Sequence, residues 1–210
     1  MKDLIIIGAG SAAREYLQFA KDINKVSPTW NIKGFIADYG VDIEEFTNAE
    51  YKVLGTIADW QPSENEVFVC SISEPIGKRK VVKMLLGRGA EFINLIHPTA
   101  MIYDYASLGK GVVVYPKGVV QCNAMVGDFV TISGEVSHDN KIADFVTLSG
   151  GAALCGHVTV GEAAFLGAKS IVAPGIKIGK EAFVCIGSVV IRNVRDNTKV
   201  IGNPAKRIDF

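Results

Sequence analysis

The chain has 210 residues, 49% of them hydrophobic, with 22 basic and 22 acidic side chains and a formal net charge of zero. This balance lacks the basic excess that marks nucleic-acid-binding domains, and no apolar run reaches the roughly 18 residues of a membrane-spanning helix. We therefore expect one or two domains with buried cores, in a cytoplasmic protein that binds neither nucleic acid nor membrane.

The first part of the chain has the pattern of an α/β domain. Apolar runs predict strands over residues 4–7, 30–37, 67–71 and 92–96, and helical spacing predicts helices over 12–23 and 75–89. Strands that alternate with helices indicate a parallel sheet. His97-Pro98 marks the boundary, because the residue before proline is driven into extended geometry. The predicted domains are 1–96 and 97–210.

A glycine-rich turn follows the first predicted strand. Gly8-x-Gly10-x-x-Ala13 between a strand and a helix is typical of turns that bind nucleotide phosphates, where backbone N–H groups face the ligand. The short domain provides one mononucleotide-binding half, which favours a single nucleotide moiety over a dinucleotide. Asp38 ends the second strand, where a carboxylate takes ribose or base hydrogen bonds. An ordinary turn aspartate is the equal alternative.

The second part of the chain repeats every six residues. Fifteen hexads begin with an aliphatic lead residue and have a small or β-branched residue four positions later, and the leads are Ile102, Leu108, Val114, Val120, Val126, Ile132, Ile142, Leu148, Leu154, Val160, Leu166, Val172, Ile178, Val184 and Val190. This period predicts a hexapeptide β-helix whose leads point inward and stack from coil to coil. Glycine often follows the lead and is expected to round the corner.

The repeat breaks once, beside a histidine and an aspartate. Only four residues, His138 to Lys141, stand between Ser137 and Ile142, where a hexad needs six. We expect this irregular corner to carry chemistry, since departures from a solenoid repeat form loops and turns. The alternative is a shortened turn whose histidine is merely solvated.

Several segments together resemble one enzyme family. LIIIGAGSAARE, GFIAD, NLIHPTA, SHDNKIADFVTLSGGAALCGHVTVGEAAFLGAKSIV and VIGNPAK occur in this order over nearly the whole chain. They resemble the sialic acid O-acetyltransferases, a hexapeptide-repeat family that includes the bacterial nucleotide-sugar N-acetyltransferases of surface-glycan synthesis. The resemblance implies a Rossmann-like domain for a nucleotide-linked sugar and a left-handed β-helix. It also implies a homotrimer with acetyl-CoA between neighbouring β-helices, and no metal.

The same resemblance assigns residues. His138 matches the general base and Asp139 the acidic residue that strengthens it, and an imidazole suits an acceptor amine or hydroxyl that must lose a proton. The implied substrate-binding residues are Gly10, Ser11, Ala12, Asp38, Ser71, Ile72 and Ser73, and the implied acetyl-CoA-binding residues are Thr147, Gly156, Ala168 and Ile186. Ala12 and Thr147 stand where many relatives have histidine. The acceptor sugar, and the choice between N- and O-acetylation, stay open.

Two other functions remain alternatives. A metal lyase of the γ-carbonic-anhydrase kind would need His97, His138 and His157 to converge on one ion, but His97 precedes the first coil. A non-catalytic nucleotide-sugar-binding protein would retain the fold with a decayed His138 site. The four cysteines lack C-x-x-C spacing, so neither a disulfide framework nor a thiol nucleophile is predicted.

Overall fold

The computed structural model describes residues 1–38 and 43–208, and the chain divides into two compact units. One unit contains Met1–Ser73 and Gly77–Pro98, and the other contains Glu74–Ile76 and Thr99–Phe210. Across the residues described, no helix combines the length and the apolar character needed to cross a bilayer.

The first unit is built on a four-stranded parallel sheet. The elements up to residue 96 are β1 Lys2–Ile7, α1 Ser11–Val26, β2 Trp30–Ile36, α2 Ile43–Thr47, β3 Val53–Gly55, β4 Glu66–Cys70, α3 Pro75–Gly87 and β5 Leu95–Ile96. The sheet order is β3-β2-β1-β4. Residues 4–7 of the central strand β1 are at most 1% exposed, as expected of a parallel strand covered on both faces. The carboxyl ends of β1, β2 and β4 share one edge of the sheet.

Most of the predicted elements of this unit are present. The strands at 4–7, 30–37 and 67–71 and both predicted helices are confirmed within a few residues. The short elements α2 and β3 were not predicted, because five and three residues are too few to show a period. The prediction that residues 92–96 close the sheet is confirmed at Phe92 and wrong for residues 95–96. Phe92 forms an isolated bridge to Phe68, and β5 is not a strand of this sheet.

The second unit consists of two-residue strands stacked in three parallel sheets. The strands are β6 Met101–Ile102, β7 Ser107–Leu108, β8 Val113–Val114, β9 Val119–Val120, β10 Met125–Val126, β11 Thr131–Ile132, β12 Glu135–Val136, β13 Lys141–Ile142, β14 Thr147–Leu148, β15 Ala153–Leu154, β16 Thr159–Val160, β17 Phe165–Leu166, β18 Ile171–Val172, β19 Lys177–Ile178, β20 Phe183–Val184 and β21 Val189–Val190. Within the unit the sheets run β19-β16-β13-β10-β7, β20-β17-β14-β11-β8 and β21-β18-β15-β12-β9-β6. This stacking fits a left-handed β-helix.

The aliphatic leads form the core of the coils, as predicted. Each lead is the second residue of its strand, and from Val114 to Val190 every lead is at most 5% exposed. In the first coil Ile102 is 36% exposed, since no coil precedes it. The six-residue period therefore reflects one inward side chain per face.

The glycines that follow the leads are required by the neighbouring coil rather than by their own backbone angles. A Cβ on Gly109 would lie 2.7 Å from the carbonyl carbon of Gly127, and one on Gly167 would lie 2.6 Å from the amide nitrogen of Ile186. The corners of successive coils thus approach too closely for a side chain. The prediction that these glycines occupy corners is confirmed, and the close approach supplies the reason.

The irregular corner is not where the sequence placed it. Within the described part of the second unit, the short corner is Ser133-Gly134, which joins β11 to β12 with two residues instead of four. Val136 pairs with Val120 and Leu154, so it is the lead of its own hexad. Residues 137–140 then form a full corner before β13. The prediction that His138 lies at the break is therefore wrong, because the shortened segment lies on the preceding corner.

The end of the described chain is a hairpin. Strands β22 Lys199–Gly202 and β23 Ala205–Ile208 pair antiparallel, and β22 pairs in parallel with β20. Asn203-Pro204 forms the turn of this hairpin. The hairpin extends one sheet of the β-helix by two strands.

Candidate active site

His138 and Asp139 lie at the centre of one corner of the β-helix. We call the stack of corners at residues 121–124, 137–140, 155–158 and 173–176 the histidine corner line. Its second central residues all have left-handed backbone geometry, with φ of 59° at Asn123, 58° at Asp139 and 61° at His157. Backbone hydrogen bonds link neighbouring corners, from the Asp139 N–H to the Cys122 carbonyl and from the His157 N–H to the His138 carbonyl, both at 3.2 Å.

The two adjacent side chains form a directed hydrogen bond. Nδ1 of His138 lies 2.7 Å from Oδ2 of Asp139, and the side chains are 48% and 37% exposed. The His138 hydrogen bond lowers the pKa of the Asp139 carboxyl; partial burial opposes this, and the charge of His157 and a hydrogen bond from Asn123 add to it. An ionised carboxylate only accepts, so Nδ1 carries the proton and Nε2 of the neutral ring carries the lone pair.

Gly156 makes room for the imidazole. A Cβ at this position would lie 2.5 Å from Cε1 and 2.7 Å from Nε2 of His138. The ring therefore rests directly against the backbone of the next coil. The sequence predicted Gly156 as a cofactor contact. The structure shows that the glycine also fixes where the imidazole lies, a role that the sequence reasoning missed.

A buried asparagine holds the same corner from the inside. Asn140 is 0% exposed, donates from Nδ2 to the Ser137 carbonyl at 2.9 Å and accepts from the Val158 N–H at 2.6 Å. It occupies the inward position that Ala124 and Val158 fill in the neighbouring corners. Since a buried polar group needs its partners, this pair of bonds fixes residues 137–140 against the coil above. No sequence pattern had pointed to Asn140.

His157 belongs to the same group of side chains. Its Nε2 lies 3.8 Å from Oδ2 of Asp139, and its ring stands edge-on to that of His138 with centroids 5.3 Å apart. The His157 side chain is 67% exposed. His157 follows Asp139 by 18 residues, one full coil, which is the signal that could have revealed this neighbourhood. Its donor atom and those of His138 and Asp139 lie within 4.8 Å of one another, so these three residues could hold a metal ion.

The residues predicted to bind acetyl-CoA do not all lie together within one chain. Ala168 and Ile186 lie one coil apart on a different stack of corners. We call this stack, which begins above the short corner Ser133-Gly134 and contains residues 149–152, 167–170 and 185–188, the short-corner line. Ile186 is 70% exposed. Thr147 lies in β14 with only 3% of its surface exposed. Gly156 alone of the four is on the histidine corner line.

The predicted nucleotide-binding residues gather at one edge of the parallel sheet in the first unit. The turn at Gly8 leaves β1, and Ser71 leaves the neighbouring strand β4. The Ser71 hydroxyl donates to the Ile7 carbonyl at 2.7 Å, and Gly8, with φ of 98°, leaves room for it. Gly10 precedes α1 without a side-chain cap. Ser11 and Ala12 are the first residues of the helix, while Ile72 and Ser73 continue the Ser71 turn.

Three further residues can be placed. Asp38 accepts a hydrogen bond from the Ala58 N–H at 2.9 Å, so its carboxylate stabilises a turn. His97 is 9% exposed, 3.5 Å from Asp22 and edge-on to Phe19. It is packed in the first unit and is not one of the three clustered donors. A metal site formed by all three histidines, as the lyase alternative requires, is therefore excluded. Burial raises the pKa of the Cys70 thiol to about 11, which keeps it protonated and unreactive.

Comparison with known proteins identifies relatives with named activities. No family model matches the chain. The GDP-perosamine N-acetyltransferase of Escherichia coli O157:H7 is 29% identical over 154 residues, which are 70% of this chain and 70% of that protein.

Solved structures resemble nearly the whole chain. The acetyltransferase domain of PglB from Neisseria gonorrhoeae FA1090 has a TM-score of 0.89 at 26% identity, covering 99% of this chain and all of that one. PerB from Caulobacter crescentus, in complex with CoA and GDP-perosamine, has a TM-score of 0.86 at 26% identity, covering 100% of this chain and 98% of that one.

Proposed function

We propose an activity for this chain from its place among the bacterial nucleotide-sugar acetyltransferases of the hexapeptide-repeat family, to which it belongs. It transfers the acetyl group of acetyl-CoA to an amine of a nucleotide-linked sugar, with His138 as general base and Asp139 as the residue that orients it. The relative from Escherichia coli O157:H7 is a GDP-perosamine N-acetyltransferase, which favours N-acetylation over O-acetylation. We place the reaction in surface-glycan synthesis.

The observation that carries the proposal is the hydrogen bond between His138 and Asp139. A carboxylate that accepts from Nδ1 fixes both the rotation of the ring and its tautomer, so the lone pair of Nε2 is available to a proton donor. The side chain is half-exposed at a corner, where a substrate can reach it. Base catalysis of this kind contributes about 10²–10⁴-fold.

The chemistry needs one proton transfer and no covalent enzyme intermediate. The acceptor nitrogen attacks the thioester carbonyl carbon while its proton passes to Nε2 of His138. The carbon–sulfur bond then breaks, and the CoA thiolate leaves and takes up a proton from the imidazolium. The sugar gains an amide, CoA is released as the thiol, and the imidazole returns to its starting state. Asp139 stays ionised throughout, because its carboxyl pKa is already below the usual range.

The first unit is proposed to hold the nucleotide portion of the acceptor sugar. Gly10, Ser11 and Ala12 present the amino end of α1 at the carboxyl edge of the sheet, and Ser71, Ile72 and Ser73 leave the adjacent strand. A helix amino end at this edge attracts phosphate, which supports a Rossmann-like nucleotide domain. Asp38 belongs to the same proposal, with an oxygen already bonded to Ala58.

The acetyl-CoA site is proposed to involve two chains. Gly156 lies on the histidine corner line, whereas Ala168 and Ile186 lie on the short-corner line. A homotrimer of left-handed β-helices would bring these two lines from neighbouring chains together around one cofactor. Exposed Ile171, Ile186 and Ile191 support such a contact, because apolar side chains of this size are costly to leave in water. Thr147 is retained as the fourth cofactor residue, although its burial limits what it could contact.

The activity is tested with acetyl-CoA and a panel of nucleotide-linked amino sugars. Release of the CoA thiol is followed with a thiol reagent, and the position of the new acetyl group is located by NMR. We expect turnover with at least one nucleotide-linked amino sugar and acetylation at nitrogen. Binding of a nucleotide sugar without thiol release would instead identify a non-catalytic binding protein. Acetylation at a hydroxyl would contradict the proposed N-acetylation.

A further inference from the structure

We propose that a divalent transition-metal ion of the zinc class binds between His138, Asp139 and His157 and inactivates the base. The positions of the three side chains support the binding itself. The inactivation rests on the proposed function, because it supposes that Nε2 of His138 accepts a proton from substrate.

The three donor atoms are close to the geometry that one ion requires. Oδ2 of Asp139 lies 2.7 Å from Nδ1 of His138 and 3.8 Å from Nε2 of His157, and the donors all lie within 4.8 Å of one another. With zinc–nitrogen and zinc–oxygen bonds of about 2.0–2.2 Å, the ligands of one tetrahedral ion stand about 3.3 Å apart. Small side-chain rotations would therefore bring all three onto one ion.

The β-helix holds the ligands at this spacing. His157 lies one coil beyond Asp139, and the His157 N–H donates to the His138 carbonyl at 3.2 Å. Asn140 fixes the corner at 137–140 to the next corner by accepting a hydrogen bond from the Val158 N–H. Because the backbone of both corners is fixed, the side chains alone need to adjust, and little order is lost on binding.

The chemistry of the donors selects the class of ion. Two imidazoles and one carboxylate suit zinc, cobalt and copper rather than magnesium or calcium, which prefer oxygen ligands. The side chains are 48%, 37% and 67% exposed, so an ion can enter from solvent and keep water in its fourth position. The Asp139 carboxylate offsets one unit of the positive charge of the ion.

Metal binding would block the base through the tautomer of His138. Without metal, Nδ1 donates its proton to Asp139 and Nε2 holds the lone pair. When Nδ1 gives its lone pair to the ion, the Nδ1 proton leaves to solvent and Nε2 takes up a proton from solvent, so the ring stays neutral as the Nε2–H tautomer. That nitrogen can then donate but cannot accept, and the acceptor amine keeps its proton.

The binding test uses cobalt, whose visible absorption reports tetrahedral coordination. The whole protein, stripped of metal with a chelator, is titrated with Co²⁺, and Zn²⁺ is then added to displace it. The test variant is His157→Asn, since asparagine already occupies the left-handed geometry at Asn123 in the same line. The control is Asp104→Asn, which removes an exposed carboxylate from the first coil, at residues outside the cluster.

We expect one Co²⁺ per chain in the wild type and in Asp104→Asn. Removal of a residue that only supports a metal ligand typically weakens metal binding by about tenfold or more. Because His157 would be a ligand itself, His157→Asn should weaken Co²⁺ binding by at least about tenfold. Equal affinity in the wild type and His157→Asn, or no tetrahedral Co²⁺ spectrum in the wild type, would overturn the proposed site.

The inhibition test is separate. Zn²⁺ should inhibit thiol release by the wild type, a chelator should restore it, and the inhibition curve of His157→Asn should shift by the same factor as its Co²⁺ affinity, each variant being compared with its own metal-free rate. Binding of Co²⁺ with undiminished turnover would overturn the inactivation alone. If no variant transfers acetyl groups, the proposed function fails while the Co²⁺ titration still decides the metal site.

Discussion

At the scale of single residues, the imidazole of His138 is held by a neighbour on each side. Asp139 fixes the ring through a hydrogen bond, and Gly156 supplies the backbone surface against which the ring lies. A Cβ at residue 156 would overlap the His138 ring in its present position. The position of the proposed base is therefore set as much by a missing side chain as by the histidine itself.

Gly156→Ala tests this support. A Cβ would displace the His138 ring, and displacement of a catalytic group by about 1 Å can lower turnover by about a hundredfold. The matched control is Gly87→Ala in α3, because no atom would lie within 4 Å of its Cβ and it is outside the proposed site. Steady-state thiol release should fall in the first variant and stay near wild type in the second. Similar rates in both variants would show that the ring position does not depend on Gly156.

The buried Cys70 thiol gives a prediction in alkaline solution. Burial raises its pKa from 9.0 to about 11, so the unfolded chain loses this proton at a lower pH than the folded chain does. Stability should therefore fall as pH rises from about 9 towards 11. Chemical denaturation should show that Cys70→Ala loses less stability than wild type across this window, whereas the half-buried control Cys155→Ala follows wild type. Parallel pH profiles for all three proteins would contradict the assignment.

At the scale of elements, the strands could be predicted from the sequence because one lead residue defines each face. The break was misplaced because Val136 satisfies two positions at once: it lies four residues after Ile132, and it is itself an aliphatic lead. Only its pairing with Val120 and Leu154 decides between them. His138 was singled out for its supposed irregular corner, although it lies in a regular one.

The rest of the site could not be predicted from local patterns. Gly156 and His157 lie 18 residues, one regular coil, beyond His138 and Asp139. The sequence pattern hid this spacing because it put the break at residues 138–141 instead of before His138. Asn140 occupies an inward position where a polar residue contradicts the hydrophobic pattern. Its two hydrogen bonds, which resolve that contradiction, involve the backbone and leave no mark in the sequence.

The short corner gives a prediction of its own. A Cβ on Gly134 would overlap the carbonyl oxygen of Ala152 in the next coil, and backbone at that position cannot rotate away as a side chain can. Gly134→Ala should therefore lower the free energy of unfolding by about 1–3 kcal/mol or more. Gly150→Ala is the control for this stability measurement, because its Cβ on the same line of corners would meet no atom within 4 Å. Equal denaturation midpoints for the two variants would be incompatible with the close approach.

Two inward serines on this line differ in their hydrogen bonds. Among the residues that the structure describes, the Ser170 hydroxyl is buried without a hydrogen-bond partner, whereas the Ser188 hydroxyl accepts from the Gly202 N–H at 3.2 Å. Ser170→Ala should raise the free energy of unfolding by about 1 kcal/mol, and Ser188→Ala should lower it by about 0.5–1.5 kcal/mol. Thermal denaturation would refute this if both changes had the same sign.

At the scale of the whole molecule, the two units have different proposed roles, nucleotide binding in the first and acetyl transfer in the second. The first has a parallel sheet with a helix amino end at its carboxyl edge, suited to phosphate, and the second is a solenoid in which each coil contacts its neighbours. In a solenoid of this kind stability comes from stacked interfaces, so a corner can carry polar residues without a large loss. The cluster at His138, Asp139 and His157 uses this tolerance.

The proposed acetyl transfer depends on proton removal by His138. The most direct test is to measure the turnover of His138→Ala with saturating acetyl-CoA and acceptor. We predict that kcat falls by about a hundredfold or more, the usual contribution of a general base, while calorimetry gives an acetyl-CoA affinity close to wild type. Turnover within a few-fold of wild type would contradict the central claim.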